Sequence, residues 1–178
     1  PELMGAHIGP ERSHTTGRRH DLSFRGITAL FGHLGIEWNL LSLSEDELEA
    51  VASIIALHRR FRPLLHGGDT VRFETEDAYV AHGVYDAERA EALVGFAVVH
   101  TAPHLLPPPL RLPGLDAARR YRVEPVPLPG ERRGPNRSAL DWIETGIELT
   151  GRQLEVHGIQ LPALHPESAI LLHLTAID

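Results

Sequence analysis

The chain has no cysteine, no lysine and only one methionine, and aromatic side chains make up just 6% of its 178 residues. Without cysteine there is no disulfide framework, a composition that fits the cytoplasm, the expected location. With no lysine, all positive charge rests on arginine, and the glycines at Gly5, Gly9 and Gly17 have neither the spacing nor the following lysine of a phosphate-binding loop. Acidic residues outnumber basic ones by 24 to 17, and the formal charge of −7 argues against a nucleic-acid partner. No apolar run approaches the length of a membrane span and no signal-peptide pattern opens the chain, so no membrane partner is expected. The first residue is Pro1 rather than Met, which suggests a processed or truncated product. What is present, 42% hydrophobic residues, is enough for a packed core.

The longest helical signal runs from Ser44 to Gly68. Ser44 and Glu47 have capping-box spacing, acids crowd the first turns, and His58, Arg59, Arg60 and Arg62 crowd the last, as a helix dipole favours. Leu48, Val51, Ala52 and Ile55 form the expected apolar stripe, and Pro63 is expected to kink or end the helix before Gly67-Gly68. Ahead of it, Leu3 to Ile8 reads as one buried strand of a parallel sheet. A polar loop follows from Gly9 to Arg19, then a helix over 21–34 capped by Asp21 or Ser23. Beyond Thr70 the period changes to two. Strands are expected at Val71–Phe73, Ala78–Val84, Leu93–His100, Tyr121–Val123, Ile147–Leu149, Leu154–Leu161 and Ala169–Thr175. Asp86 to Arg89 is a hairpin-type connection, Pro107-Pro108-Pro109 an extended segment outside any ladder, and 125–138 a long exposed loop. This strand count suits an antiparallel β-sandwich.

Twelve histidines invite a metal, but no His-Glu-x-x-His or close loop spacing occurs, and no metal or other cofactor is expected. No Gly-x-Ser-x-Gly elbow supports a serine hydrolase. The acids at Glu45-Asp46-Glu47 are accounted for by the helix N-terminus alone. The strongest candidate is the loop His14-Thr15-Thr16-Gly17-Arg18-Arg19, which follows the C-terminal end of the parallel strand, where sites of α/β folds gather. Its bland alternative is that Arg18, Arg19 and Arg25 pair with nearby acids and merely anchor it. Trp38 and Trp142 could stack on a sugar or serve as core anchors.

The opening Pro1-Glu2-Leu3-Met4-Gly5-Ala6-His7-Ile8 with His14-Thr15-Thr16-Gly17-Arg18 resembles the last-strand region of glycoside hydrolase family 36, the bacterial-type α-galactosidases. Phe31-Gly32, Leu34-Gly35-Ile36-Glu37 and His66-Gly67-Gly68-Asp69 are similar to the same family. Leu112-Pro113-Gly114-Leu115-Asp116, Tyr121-Arg122-Val123 and Gly158-Ile159 resemble its C-terminal β-domain. The pattern departs at Ile8-Gly9-Pro10-Glu11, where the family has a Val-Ser pair. The resemblance implies a mixed fold: residues 1–67 as the last elements of a (β/α)8 barrel, and 68–178 as a C-terminal antiparallel β-sandwich. It also implies a retaining enzyme that removes terminal α-galactose from oligosaccharides through two carboxyl groups about 5–5.5 Å apart. The family's nucleophile and acid/base motifs both lie upstream of Pro1. No residue here takes either role, and the chain alone is expected to be inactive, with His14, Thr15 and Arg18 near substrate. With the first strand cut from its neighbours, residues 1–40 are expected to be mobile, mispaired or paired between copies as a homo-oligomer. The alternative is a stand-alone β-sandwich that binds carbohydrate or another protein.

Overall fold

A computed structural model describes residues 3–130 and 140–177. It opens with β1 (Gly5–Ile8), which pairs in parallel with β2 (His33–Ile36) across α1 (Leu22–Leu30). The single early strand expected from the sequence therefore has a partner, and the helix expected over 21–34 stops four residues sooner. Gly32 ends the helix and Gly35 lies within β2: a Cβ on Gly35 would meet the His7 ring at 2.5 Å. Asp21 caps α1, its carboxylate accepting from the Phe24 N–H at 2.8 Å. A 3-10 turn (Leu40–Ser42) leads into α2 (Glu45–Gly67), which carries the full Ser44–Glu47 capping box.

Pro63 does not end α2. Proline removes one backbone bond, but Phe61, Leu64 and Leu65 on either side of it are buried, and that packing holds the last turn. The buried stripe also differs from the one expected: it runs through Val51, Ile54, His58, Phe61 and Leu65, while Leu48 is 40% exposed and Ala52 faces solvent.

The chain then forms β3 (Asp69–Arg72), β4 (Tyr79–Tyr85), β5 (Glu91–Val98) and β6 (Arg120–Pro125), followed by the one-turn α3 (Trp142–Thr145). It closes with β7 (Ile147–Thr150), α4 (Gly151–Val156) and β8 (Ser168–Ala176). Among the described residues these strands build one six-stranded sheet, β3-β4-β5-β8-β6-β7, with every pairing antiparallel. This corrects the two-sheet sandwich. A continuous buried run such as Ala92 to Phe96 reports that both faces are covered, not what covers them. Tyr79, Ala81 and Tyr85 with Val94, Phe96, Ile170 and Leu172 face a layer of loops and short helices that includes Leu110, Leu112, Trp142 and Leu161. On the opposite face Val84, Leu93 and Leu171 pack against Ile27, Leu30 and Phe31 of the α1 segment and Phe61, Leu64 and Leu65 of α2. Gly95 makes that contact close, since a Cβ there would sit 3.0 Å from the Phe31 ring.

One further expectation changes. Leu154–Leu161 is not a strand: Thr150 and Gln153 form a second capping box that starts α4, and only Ile159 bridges back, to Leu110 beyond the proline run. The expected loop over 125–138 lies partly outside the described residues.

Candidate functional site

β1 and β2 run the same way, so both deliver their C-terminal ends to one rim. The Glu37 N–H donates to the Ile8 carbonyl at 3.0 Å, extending the pair to that rim. From Ile8 the chain enters the candidate loop. Residues 11–20 fold into a small hairpin closed by the Arg12–Arg19 bridge, with Ser13 N–H donating to the Arg18 carbonyl and His20 N–H to the Glu11 carbonyl. Gly17 takes a φ of 70°, which lets the hairpin turn between Ser13 and Arg18. His14 and Thr15 stand exposed at its tip.

Arg18 is held from the sheet. Its Nη1 donates to Glu167 Oε1 at 2.7 Å, and His20 Nε2 lies 3.4 Å from the other oxygen of the same carboxylate. Glu167 precedes β8 and has a φ of 62°, a left-handed backbone uncommon for a residue with a side chain. Arg19 faces Glu11 at 3.3 Å. Arg25 anchors the base of the loop, its guanidinium donating to the carbonyls of Gly9, His20 and Asp21 and covering the Trp38 ring at 4.7 Å. Burial pulls Arg25 below its ordinary pKa, and the charges of Glu11, Asp21 and Glu47 oppose that. Thus Arg18 and Arg19 pair with acids, as the anchoring reading requires, while Arg25 holds backbone. Glu11 and Glu167, the acids paired to the hairpin's arginines, each face a guanidinium.

The tryptophans separate. Trp38 lies half-buried beneath Arg25 at the rim. Trp142 is a core anchor, 9% exposed, with Nε1 donating to the Gln160 carbonyl at 3.1 Å. Histidines that are scattered in sequence partly gather in space. His33 and His66 stack edge-on at 4.5 Å, His58 lies 5.6 Å from His66, and the three line a cleft of about 520 Å³ between β2 and α2. Burial lowers the His58 pKa, opposed by its bond to the Gly32 carbonyl and reinforced by His66, Arg62 and His33. Sequence spacing missed this group because His58 and His66 lie eight residues apart on α2 and His33 comes from β2. Among the described residues no cluster of three or more His, Asp or Glu is placed to hold a metal, and no helix is long and apolar enough to cross a membrane.

Comparison with known proteins fits this arrangement. Residues 1–68 match the Melibiase family model, and residues 79–174 match the model of the glycosyl hydrolase family 36 C-terminal domain. The chain belongs to glycoside hydrolase family 36. It is 38% identical over 180 residues to an α-galactosidase of Escherichia coli, covering 98% of this chain and 25% of that protein. To α-galactosidase AgaA of Geobacillus stearothermophilus it is 33% identical over 125 residues, 68% of this chain and 17% of the relative. The crystal structure of AgaA superposes with a TM-score of 0.80 at 27% identity, over 99% of this chain and 22% of that one. The galactosidase domain of the α-galactosidase–sucrose kinase AgaSK gives a TM-score of 0.80 at 25% identity, again over 99% and 22%. The chain thus spans about a quarter or less of the length of these relatives.

Proposed function

We propose that this chain serves a retaining α-galactosidase that removes terminal α-galactose from oligosaccharides. In this reading residues 1–67 supply the last strands and helices of a (β/α)8 barrel, and residues 68–178 form the sheet domain that packs on it. The observation that carries the reading is the parallel β1–β2 pair. Two strands are too few for an independent sheet, and their outer edges have no neighbour among the described residues, so they suit adjacent strands of a larger parallel barrel. Barrel sites sit at the C-terminal ends of the strands, which makes the Gly9–Arg19 loop, with His14, Thr15 and Arg18, part of the rim of the galactose pocket. The nucleophile and the acid/base come from outside these 178 residues. Two acids that each face an arginine near the loop offer no substitute for that pair.

The test is direct. The 178-residue chain incubated with an aryl α-galactoside is expected to release aglycone no faster than a buffer blank. Turnover clearly above the blank would assign the catalytic carboxyls to this chain and overturn the division of labour.

A further inference from the structure

The sheet face turned away from α1 and α2 carries a cleft of about 670 Å³. Its floor is Tyr79 of β4 and Phe96 of β5, whose rings stack at 5.5 Å. One wall is the end of β3 with the turn after it, carrying Arg72, Glu74 and Glu76; the other is the proline run before Leu110, continued by Arg111 and by Glu155 next to the end of α4. Tyr79 is only 5% exposed, yet its hydroxyl has no hydrogen-bond partner among the described residues. Burial, with the Glu76 carboxylate beside it, pushes the phenol above its ordinary pKa, so it stays a neutral donor.

The charged walls are equally unspent. Arg18, Arg89 and Arg120 each close on an acid at 2.7 or 2.8 Å. Arg72, Arg111, Glu74 and Glu155, by contrast, make no side-chain hydrogen bond or ion pair among the described residues, although both signs line one cleft. Three glutamates against two arginines give no net attraction for an anion and little for a simple cation. A neutral ligand whose neighbouring hydroxyls both donate and accept would use both sets, arginine donating and glutamate accepting. Pro108 and Pro109, both exposed, supply the apolar surface on which the face of a sugar ring can lie. The volume falls within the range of about 300–1,000 Å³ usual for small-molecule sites.

We propose that this cleft of the sheet domain binds a neutral oligosaccharide, Arg72, Arg111, Glu74 and Glu155 bridging its hydroxyls and the proline wall seating one ring. The choice of sugar over other neutral polar ligands rests on the galactoside reading above. The site is open and well solvated, so its affinity is weak.

Titration of the full 178-residue chain with raffinose and stachyose, followed by amide NMR, tests it. Saturable shifts at residues 72–79, 108–113 and 155–157 are expected, with Kd on the order of millimolar. Arg111→Ala and Glu155→Gln, both on exposed side chains, should each weaken binding about tenfold through loss of a charge-assisted hydrogen bond. Tyr79→Phe should leave the fold intact and weaken binding. Absence of saturable shifts, or shifts that the variants leave unchanged, would overturn the proposal. So would shifts confined to residues 9–20, which would leave the galactoside reading standing. Changes at the cleft that follow protein concentration without sugar would mark it as a contact between copies and equally refute the site. Turnover of an aryl α-galactoside by this chain would sink the functional reading while leaving the cleft result untouched.

Discussion

Tyr121 and Tyr85 are two almost fully buried phenols in the same core cluster, 0% and 1% exposed, but their hydroxyls are treated in opposite ways. The Tyr121 hydroxyl donates to the Arg89 carbonyl at 2.7 Å and accepts from the Asp116 N–H at 3.1 Å. It ties the β4–β5 hairpin, where Arg89 adopts a φ of 55°, to the turn that precedes β6. The Tyr85 hydroxyl is enclosed with no partner among the described residues. Tyr121→Phe deletes two hydrogen bonds without opening a cavity larger than one oxygen. Each bond is worth about 1 kcal/mol net, and the stranded backbone groups sit at the edge of the core where water can reach them, so the loss is about 1–2 kcal/mol. Tyr85→Phe removes a buried polar atom that no hydrogen bond compensates, and stability should stay level or rise by up to about 1 kcal/mol.

Urea unfolding of the three proteins, with the slope of the transition held in common, reads both effects as shifts in midpoint. In a chain of this size each kcal/mol corresponds to about 2–4 °C in Tm, so Tyr121→Phe should also melt several degrees lower. The reasoning fails if Tyr121→Phe is as stable as the parent. It fails equally if Tyr85→Phe loses as much as Tyr121→Phe does, because the Tyr85 hydroxyl would then have a partner that the geometry does not contain.

Two other expectations follow from charge. Burial lowers the pKa of His58 and of His82, so the unfolded chain takes up protons that the folded one refuses; stability is complete above the ordinary histidine value of about 6.5 and falls as pH drops below it. Urea midpoints measured between neutral and mildly acid pH should show that decline, and His58→Gln with His82→Gln should flatten it. Arg18→Ala breaks a pair whose guanidinium is 60% exposed, so global stability should change by no more than about 1 kcal/mol, while amide exchange over residues 11–19 should speed up once Glu167 no longer holds the loop. Unchanged exchange there would show that the hairpin's own backbone bonds, not Glu167, set its order.

Features encoded within a few residues were legible in the sequence. The Ser44–Glu47 box, the Asp21 cap and the Asp86–Arg89 hairpin all depend on side chains within five positions of the backbone they satisfy. The start of α4 belongs to the same kind, since Thr150-x-x-Gln153 was as readable as Ser44-x-x-Glu47, but the apolar residues after it suggested a strand. Features that depend on the far side of a contact were not legible. β2 has only four residues, two apolar positions, one on either side of Gly35, and a pairing partner 28 residues earlier. The buried stripe of α2 could not be fixed before knowing that the sheet, with Val84, Leu93 and Leu171, would lie against Phe61 and Leu65.

The same distinction explains the site. The loop 11–20 closes on itself through its own backbone, so its hairpin shape is local, but its contact with the sheet is made by Glu167, about 150 residues away and on the other side of the α2 boundary. Arg18 therefore couples the parallel pair to the antiparallel sheet at the surface, while Phe31 against Gly95 couples them in the core. The buried contact sets the distance between the two parts and the exposed ion pair adds little energy. A sheet domain joined in this way can orient a loop at the strand ends without adding any reactive group to it. Under the reading proposed above, that is the role of a chain whose hairpin arginines, Arg18 and Arg19, each face an acid.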